Sequence, residues 1–141
     1  MTNGQIAAFI DRHAAAWNQR DPLGLSLNHA KDGVVISPMF GRVEGRALIR
    51  GTYAALFAAF PDWEIRYDDP IVDGSRLAVF FSVNATHEGE FMALAGSGRR
   101  CAFEGVSLFH LGPDLLIAEE RRVYDFTGLL TQLRVLRVRP A

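Results

Sequence analysis

Apolar residues recur at helical spacing in the first stretch of the chain. Ile6, Phe9, Ile10, His13, Ala14 and Trp17 fall three or four positions apart over residues 4–20. That stripe predicts an amphipathic helix with a heavy aromatic near its end. Asp21-Pro22 breaks it, and Leu23, Leu25 and Leu27 begin a second short helix running to about His29. A third stripe of Leu48, Ile49, Tyr53, Leu56, Phe57 and Phe60 predicts a helix over roughly residues 46–60, ended by Pro61.

Elsewhere the pattern changes period. Gly33 precedes Val34-Val35-Ile36, a short strand that stops at Ser37-Pro38, and a link punctuated by Gly41 and Gly45 follows. After Pro61 the chain reads as strands over 63–72, 76–87, 99–111 and 115–125. Turns fall at Asp73-Gly74, Gly96-Ser97-Gly98 and Gly112-Pro113-Asp114, and a helical turn at 127–136 closes the chain. Helices followed by a meander of long strands make an α+β order. The expected architecture is a strongly curved, mostly antiparallel sheet wrapped around the N-terminal helices. Residues 1–141 would then form one domain, a cone-shaped α+β barrel with an internal apolar pocket.

Composition narrows the function classes. A chain of 141 residues can bury one sizeable core, and a net charge of -1 leaves no electrostatic footprint for nucleic acid. Arg134, Arg137 and Arg139 read as a solvated tail. The single cysteine, Cys101, excludes an internal disulfide and a thiolate metal cage, which suits a reducing compartment. No run is apolar enough to span a bilayer, and charge inside the first apolar stretch argues against a signal peptide, so a cytoplasmic location is expected. The four histidines lack the spacing and acidic companions of a metal site.

Ten Phe, two Trp and three Tyr provide bulky walls for a pocket. Trp17, Tyr53, Phe57, Trp63, Phe81, Phe91 and Phe103 would line it and favour a flat, small apolar or aromatic molecule, with Ser37 and Asn84 as polar anchors. On the last strand Arg121, Val123 and Asp125 share one face, and Glu120, Arg122 and Tyr124 the other. With the first set turned inward, Asp125 would be a desolvated carboxyl able to move a proton next to a carbonyl. Alternatively it caps the terminal helix through Thr127 and Gly128, or pairs with Arg121. Arg121 itself reads either as a contact to an anionic ligand or as half of a salt bridge at an oligomer interface. His110 could polarise a carbonyl oxygen or be a satisfied core or rim residue. His29 faces either cavity or solvent, His87 is a weaker candidate, and His13 reads as structural.

An ordered series of short motifs carries a resemblance. Ala16-Trp17-Asn18 with Asp21, Phe60-Pro61-Asp62-Trp63 and Thr86-His87-Glu88-Gly89-Glu90-Phe91 come first. Gly98-Arg99-Arg100, Glu119, Tyr124-Asp125, Leu129-Leu130 and Gln132-Leu133 follow. Between residue 6 and residue 133 the chain resembles the SnoaL-like polyketide cyclases, within the ketosteroid-isomerase-like superfamily. The resemblance implies a homodimer or higher homo-oligomer without metal or organic cofactor. It also implies an intramolecular aldol closure in which an Asp on the last strand works with a His on the strand before. Asp125 and His110 fall at those places. Three places depart from the pattern: Ile36-Ser37-Pro38 in place of His-Asn-Pro, Arg121 in place of a Trp, and Leu108 in place of a polar amide. The expected function is a cofactor-independent acid/base enzyme (cyclase, isomerase or hydrolase) for a small hydrophobic carbonyl compound. The alternative is a non-catalytic binding or assembly domain of the same fold.

Overall fold

The computed structural model describes residues 1–137 and 139. Helix α1 (Asn3–Asn18) starts at a capping box, in which Thr2 Oγ1 accepts from the Gln5 amide and Gln5 Oε1 accepts from the Thr2 amide. Its buried side chains, Ile6, Phe9, Ile10, His13 and Trp17, are the stripe read from the sequence. Helix α2 (Pro22–Leu27) has Asp21 as its cap, accepting from the Gly24 amide, and it stops short of His29 because the chain enters a strand there. Helix α3 (Arg46–Ala59) buries Ile49, Tyr53, Leu56 and Phe57.

Seven strands follow or interleave: β1 (His29–Ser37), β2 (Gly41–Glu44), β3 (Glu64–Tyr67), β4 (Ile71–Asp73), β5 (Arg76–Thr86), β6 (Arg100–Leu111) and β7 (Ile117–Tyr124). Helix α4 (Phe126–Gln132) comes last. The expected link at Gly41 is strand β2, antiparallel to β1. The expected strand over 63–72 is broken at Asp68-Asp69-Pro70, where proline has no amide hydrogen to donate.

The sheet runs β2-β1-β7-β6-β5-β3, with β4 beside β5. Strand β1 lies parallel to β7, so the sheet is mixed, and its linear order leaves it strongly curved but unclosed. The barrel expected from the sequence is therefore an open cone. One core packs Ile6, Phe9 and Ile10 of α1 on Leu77, Val79, Phe109, Leu111 and Ile117. A second core gathers Trp17, Leu25, α3 and α4 against the other end of the sheet.

Three polar side chains fasten the layers. Asn18 accepts from the Ile65 amide (2.9 Å) and donates to the Ile65 carbonyl (3.0 Å). Gln132 does the same to Ala102, at 2.7 and 2.8 Å. Asp62 accepts from both the amide and the hydroxyl of Thr86, each at 2.6 Å. Gly89 lies so close to the Ala58 carbonyl that no Cβ would fit.

Register decides which side of β7 faces the cone. Strand β5 buries Leu77, Val79, Phe81, Val83 and Ala85. Leu77 pairs with Phe109, and Phe109 with Glu120. Ser107 likewise pairs with Arg122. The inward face of β7 is thus Glu120, Arg122 and Tyr124, the reverse of the face expected to carry the chemistry.

Candidate functional site

Glu120 is fully buried at 0% exposure, and Arg122 stands beside it on the same face with its side chain 10% exposed. Arg122 Nε donates to Glu120 Oε2 (2.9 Å) and Nη2 to Oε1 (3.1 Å), a two-pronged ion pair. Ser107 Oγ adds a third donor to Oε2 at 3.0 Å. Burial alone would raise the Glu120 pKa, but the charge and hydrogen bonds of Arg122 outweigh it and hold the carboxylate below its usual range. Burial would likewise strip the guanidinium of its proton, and Glu120 reverses that, so both partners stay charged.

Arg122 Nη2 also donates to the Tyr53 hydroxyl (2.9 Å), which shares a 2.8 Å hydrogen bond with His29 Nε2. The guanidinium carbon sits 5.4 Å from the ring centres of both Trp17 and Tyr53, held between aromatic faces. Burial pushes the Tyr53 phenol up and the His29 imidazole down to about 4, so both are neutral at pH 7. Among the described residues Arg122 Nη1 makes no hydrogen bond, although its neighbours Nε and Nη2 are fully engaged.

Farther back, Arg12 Nε donates to Asn28 Oδ1 (3.1 Å), which turns the Asn28 amide nitrogen toward His13 Nδ1 (3.0 Å). Nδ1 must accept, so the His13 proton sits on Nε2, which is buried without a partner. Burial depresses the His13 pKa to about 3.

In front of Arg122 lies a cleft. Trp17, Trp63, Ile65, Tyr67, Phe81 and Phe103 form much of its wall, with Leu56 from α3, Ser107 and Arg122 from the sheet, and Tyr124. Met39 and Phe40, half-buried on the turn after β1, complete the lining. Only about 20 Å³ is free for the centre of a water molecule, so the expected pocket is a tight cleft that is nearly filled. The Trp17 and Trp63 rings stack at 5.7 Å. Neither indole N–H is hydrogen-bonded, Trp17 Nε1 lying near the Tyr67 hydroxyl without adequate geometry. Burial raises the pKa of Tyr67 and Tyr124, which keeps both phenols protonated. Among the described residues, no three His, Cys, Asp or Glu side chains are grouped closely enough to hold a metal ion.

The family model for SnoaL-like polyketide cyclases matches residues 7–133. The chain belongs to the SnoaL-like polyketide cyclase family. Among solved structures, AclR from Streptomyces galilaeus, a candidate hydroxylase, is 27% identical with a TM-score of 0.83, over 99% of this chain and 91% of AclR. IdmH from Streptomyces antibioticus, a candidate polyketide cyclase, is 24% identical with a TM-score of 0.75, over 91% of this chain and 97% of IdmH. A protein of ketosteroid-isomerase-like fold from Catenulispora acidiphila is 19% identical with a TM-score of 0.76, over 89% of this chain and 92% of that one. No curated protein matches the sequence.

Within this SnoaL-like cone the residues named from the sequence divide into groups. Trp17, Trp63, Phe81 and Phe103 line the cleft as expected, and Tyr53 and His29 stand directly behind Arg122. Phe57 is buried in the core, and Phe91 packs against Phe60 and His87. Ser37 accepts from the Phe40 amide and shapes the turn after β1. Asn84 is exposed on the outer side of β5. Asp125 is exposed and caps α4, accepting from the Gly128 amide at 2.8 Å. His110 and Arg121 are exposed too, meeting Glu119 in a groove on the outer face of the sheet. No Asp or His faces the cone from β6 or β7, where Ser107, Glu120 and Arg122 stand instead. Sequence reasoning passed over Glu120, Arg122, Ser107, Tyr67 and Tyr124. The unbroken apolar alternation of β5, carried across two registers, is the signal that finds them.

Proposed function

We propose that the protein is a cofactor-independent acid/base enzyme of the SnoaL-like type, acting on a small hydrophobic carbonyl compound in the aromatic cleft. Arg122, in place of Asp125, would be the residue that meets its reactive oxygen. The observation that carries this reading is the free Nη1 of a guanidinium whose other nitrogens are fixed by Glu120 and Tyr53. Loss of a proton next to a carbonyl, taken up by water admitted with the substrate because the lining offers no carboxylate or imidazole, puts negative charge on oxygen, and the pre-oriented cation of Arg122 stabilises that charge. Tyr67 and Tyr124, still protonated in the lining, are the groups able to return a proton. With room for about one water, the cleft must widen to admit a ligand, and Met39 and Phe40, half-buried on the turn after β1, are the lining residues we expect to move.

One observation favours the second reading, a non-catalytic small-molecule-binding domain: the lining contains no carboxylate and no imidazole. Deuterium incorporation next to the carbonyl, followed by NMR across a panel of aromatic ketones in D2O, separates the two. The enzyme reading expects exchange that disappears in a Glu120→Gln/Arg122→Met double variant. Binding without exchange across the panel leaves the second reading.

Self-association is part of the same proposal. The outer sheet face exposes Phe80 (53%), Val123 (52%) and Leu108 (46%), an apolar surface of the kind that a second copy of the chain would cover.

A further inference from the structure

Two neighbouring turns hold long side chains where the backbone favours glycine. In the loop between β5 and β6, Phe91 and Leu94 exchange two hydrogen bonds of 2.9 Å around Met92 and Ala93. Both central residues are left-handed, with φ of 51° and 63°, in a two-residue turn that ordinarily takes Asn-Gly. Arg134, just past the cap of α4, is left-handed too (φ 60°), at the place where helices commonly end on glycine. A side chain in that region is costly, so Met92 and Arg134 point to a use other than the turn itself.

The two turns meet. Leu94, Ser97 and Arg99 of the loop line one groove with Leu133, Arg134 and Arg137 after α4. Arg99 is half-buried, and Arg134 and Arg137 are exposed. The lining holds no acidic side chain, and among the described residues none of the three arginines joins an ion pair. Glu88 and Glu90, on the other limb of the loop, are outside the groove. Adjacent in the chain to these lining residues, Met92 is 56% exposed and Leu136 is 44% exposed, and Leu94 is itself exposed. Two of the arginines that read from the sequence as a solvated tail thus share a groove bordered by apolar side chains.

We infer that this end of the cone is a docking surface for an anionic phospholipid bilayer, on which the protein lies without spanning it. Arg99, Arg134 and Arg137 take a lipid phosphate, while Met92, Leu94 and Leu136 dip into the acyl boundary beside it. An acidic protein, a nucleic acid or a soluble phosphate would match the arginines equally well. None of them gives a reason for a long apolar side chain at the tip of a strained turn. A fluid bilayer accepts a flexible methionine whatever its shape. These residues are all outside the aromatic cleft, so the inference stands apart from the reaction proposed there.

Co-sedimentation of the full chain with vesicles tests this, comparing phosphatidylcholine alone with an equal mixture of phosphatidylcholine and phosphatidylglycerol. Binding is expected only to the mixed vesicles, and it should fade as salt rises. Arg134→Gly/Arg137→Gln should weaken it by about tenfold or more. Met92→Gly is the deciding variant, because it should weaken binding several-fold while its thermal midpoint holds or rises. A residue kept only for the fold would lower the midpoint and leave vesicle binding alone. Arg50→Gln, exposed on α3, is the control and should bind as the native chain does. Equal binding to both kinds of vesicle, or binding to neither, overturns the inference. Dependence on the arginines with no effect of Met92→Gly on binding overturns it too, and hands the groove to a soluble phosphate or a nucleic acid. A fall in the Met92→Gly midpoint likewise returns that side chain to the fold and removes the bilayer reading.

Discussion

Arg122 and Glu120 are worth more to each other than either is alone. Removing only the cation strands a carboxylate at 0% exposure, and such breaks cost about 3–5 kcal/mol. Urea denaturation of Arg122→Met should show a loss of that order, and Glu120→Gln/Arg122→Met should recover most of it. If the single variant is as stable as the double, the pair does not hold the core. Asp125 offers the opposite contrast. As an exposed helix cap, its replacement in Asp125→Ala should cost about 1 kcal/mol in the same assay and leave ligand affinity unchanged. A large loss of affinity would return Asp125 to the site. The sequence left Asp125 open between an inward carboxyl and a helix cap, and the structure has the cap. Period-2 alternation separates two faces of a strand but does not say which one is inside. Asp125 also lies just past the end of β7, where alternation no longer governs direction.

At the level of elements, α1 and α3 were legible because each carries its own stripe, and Pro22 and Pro61 mark helix ends within a residue or two. The closing helix, expected over 127–136 without a stripe to define it, spans Phe126–Gln132. Strand β2 was not legible, since its four residues Gly41–Glu44 have hardly any buried side chain to mark them. The parallel pairing of β1 with β7 was not legible either, because it joins segments far apart in the chain. Several residues of the motifs that carry the family resemblance turn out to be fasteners: Asn18, Asp62 with Thr86, and Gln132 hold neighbouring segments together. Others in the same motifs, Trp17, Trp63 and Tyr124, line the cleft.

For the whole molecule, the two buried histidines make acid a specific threat. His13 and His29 stay neutral when folded, with pKa values near 3 and 4, but titrate near 6.5 once exposed. Below about pH 6.5 the unfolded chain therefore binds more protons than the folded one, and stability falls as pH falls, by up to about 1.4 kcal/mol per pH unit for each histidine. Urea midpoints measured from pH 7.5 down to pH 5 should decline accordingly, and His13→Gln should make the decline shallower. A flat profile over that interval would show that the imidazoles are not buried neutral. Among the described residues, no helix is long and apolar enough to cross a membrane. The apolar outer face gives a further whole-molecule expectation: Phe80→Glu/Val123→Lys should shift sedimentation toward a monomer without loss of secondary structure. An unchanged sedimentation coefficient would place the association surface elsewhere.

Asn18 has one more consequence. Its amide occupies the N–H and C=O of Ile65 on β3, the terminal strand of an open sheet, and those are the groups a foreign strand would seize. A single side chain thus imitates a neighbouring strand and closes the seam against other chains. Replacing it with leucine, similar in size but unable to pair, should speed fibril formation at mildly destabilising temperature more than the lost stability accounts for. Thioflavin kinetics at matched fractions of unfolded protein would show it. At Ile65, one amide thus blocks the open cone's edge against another strand.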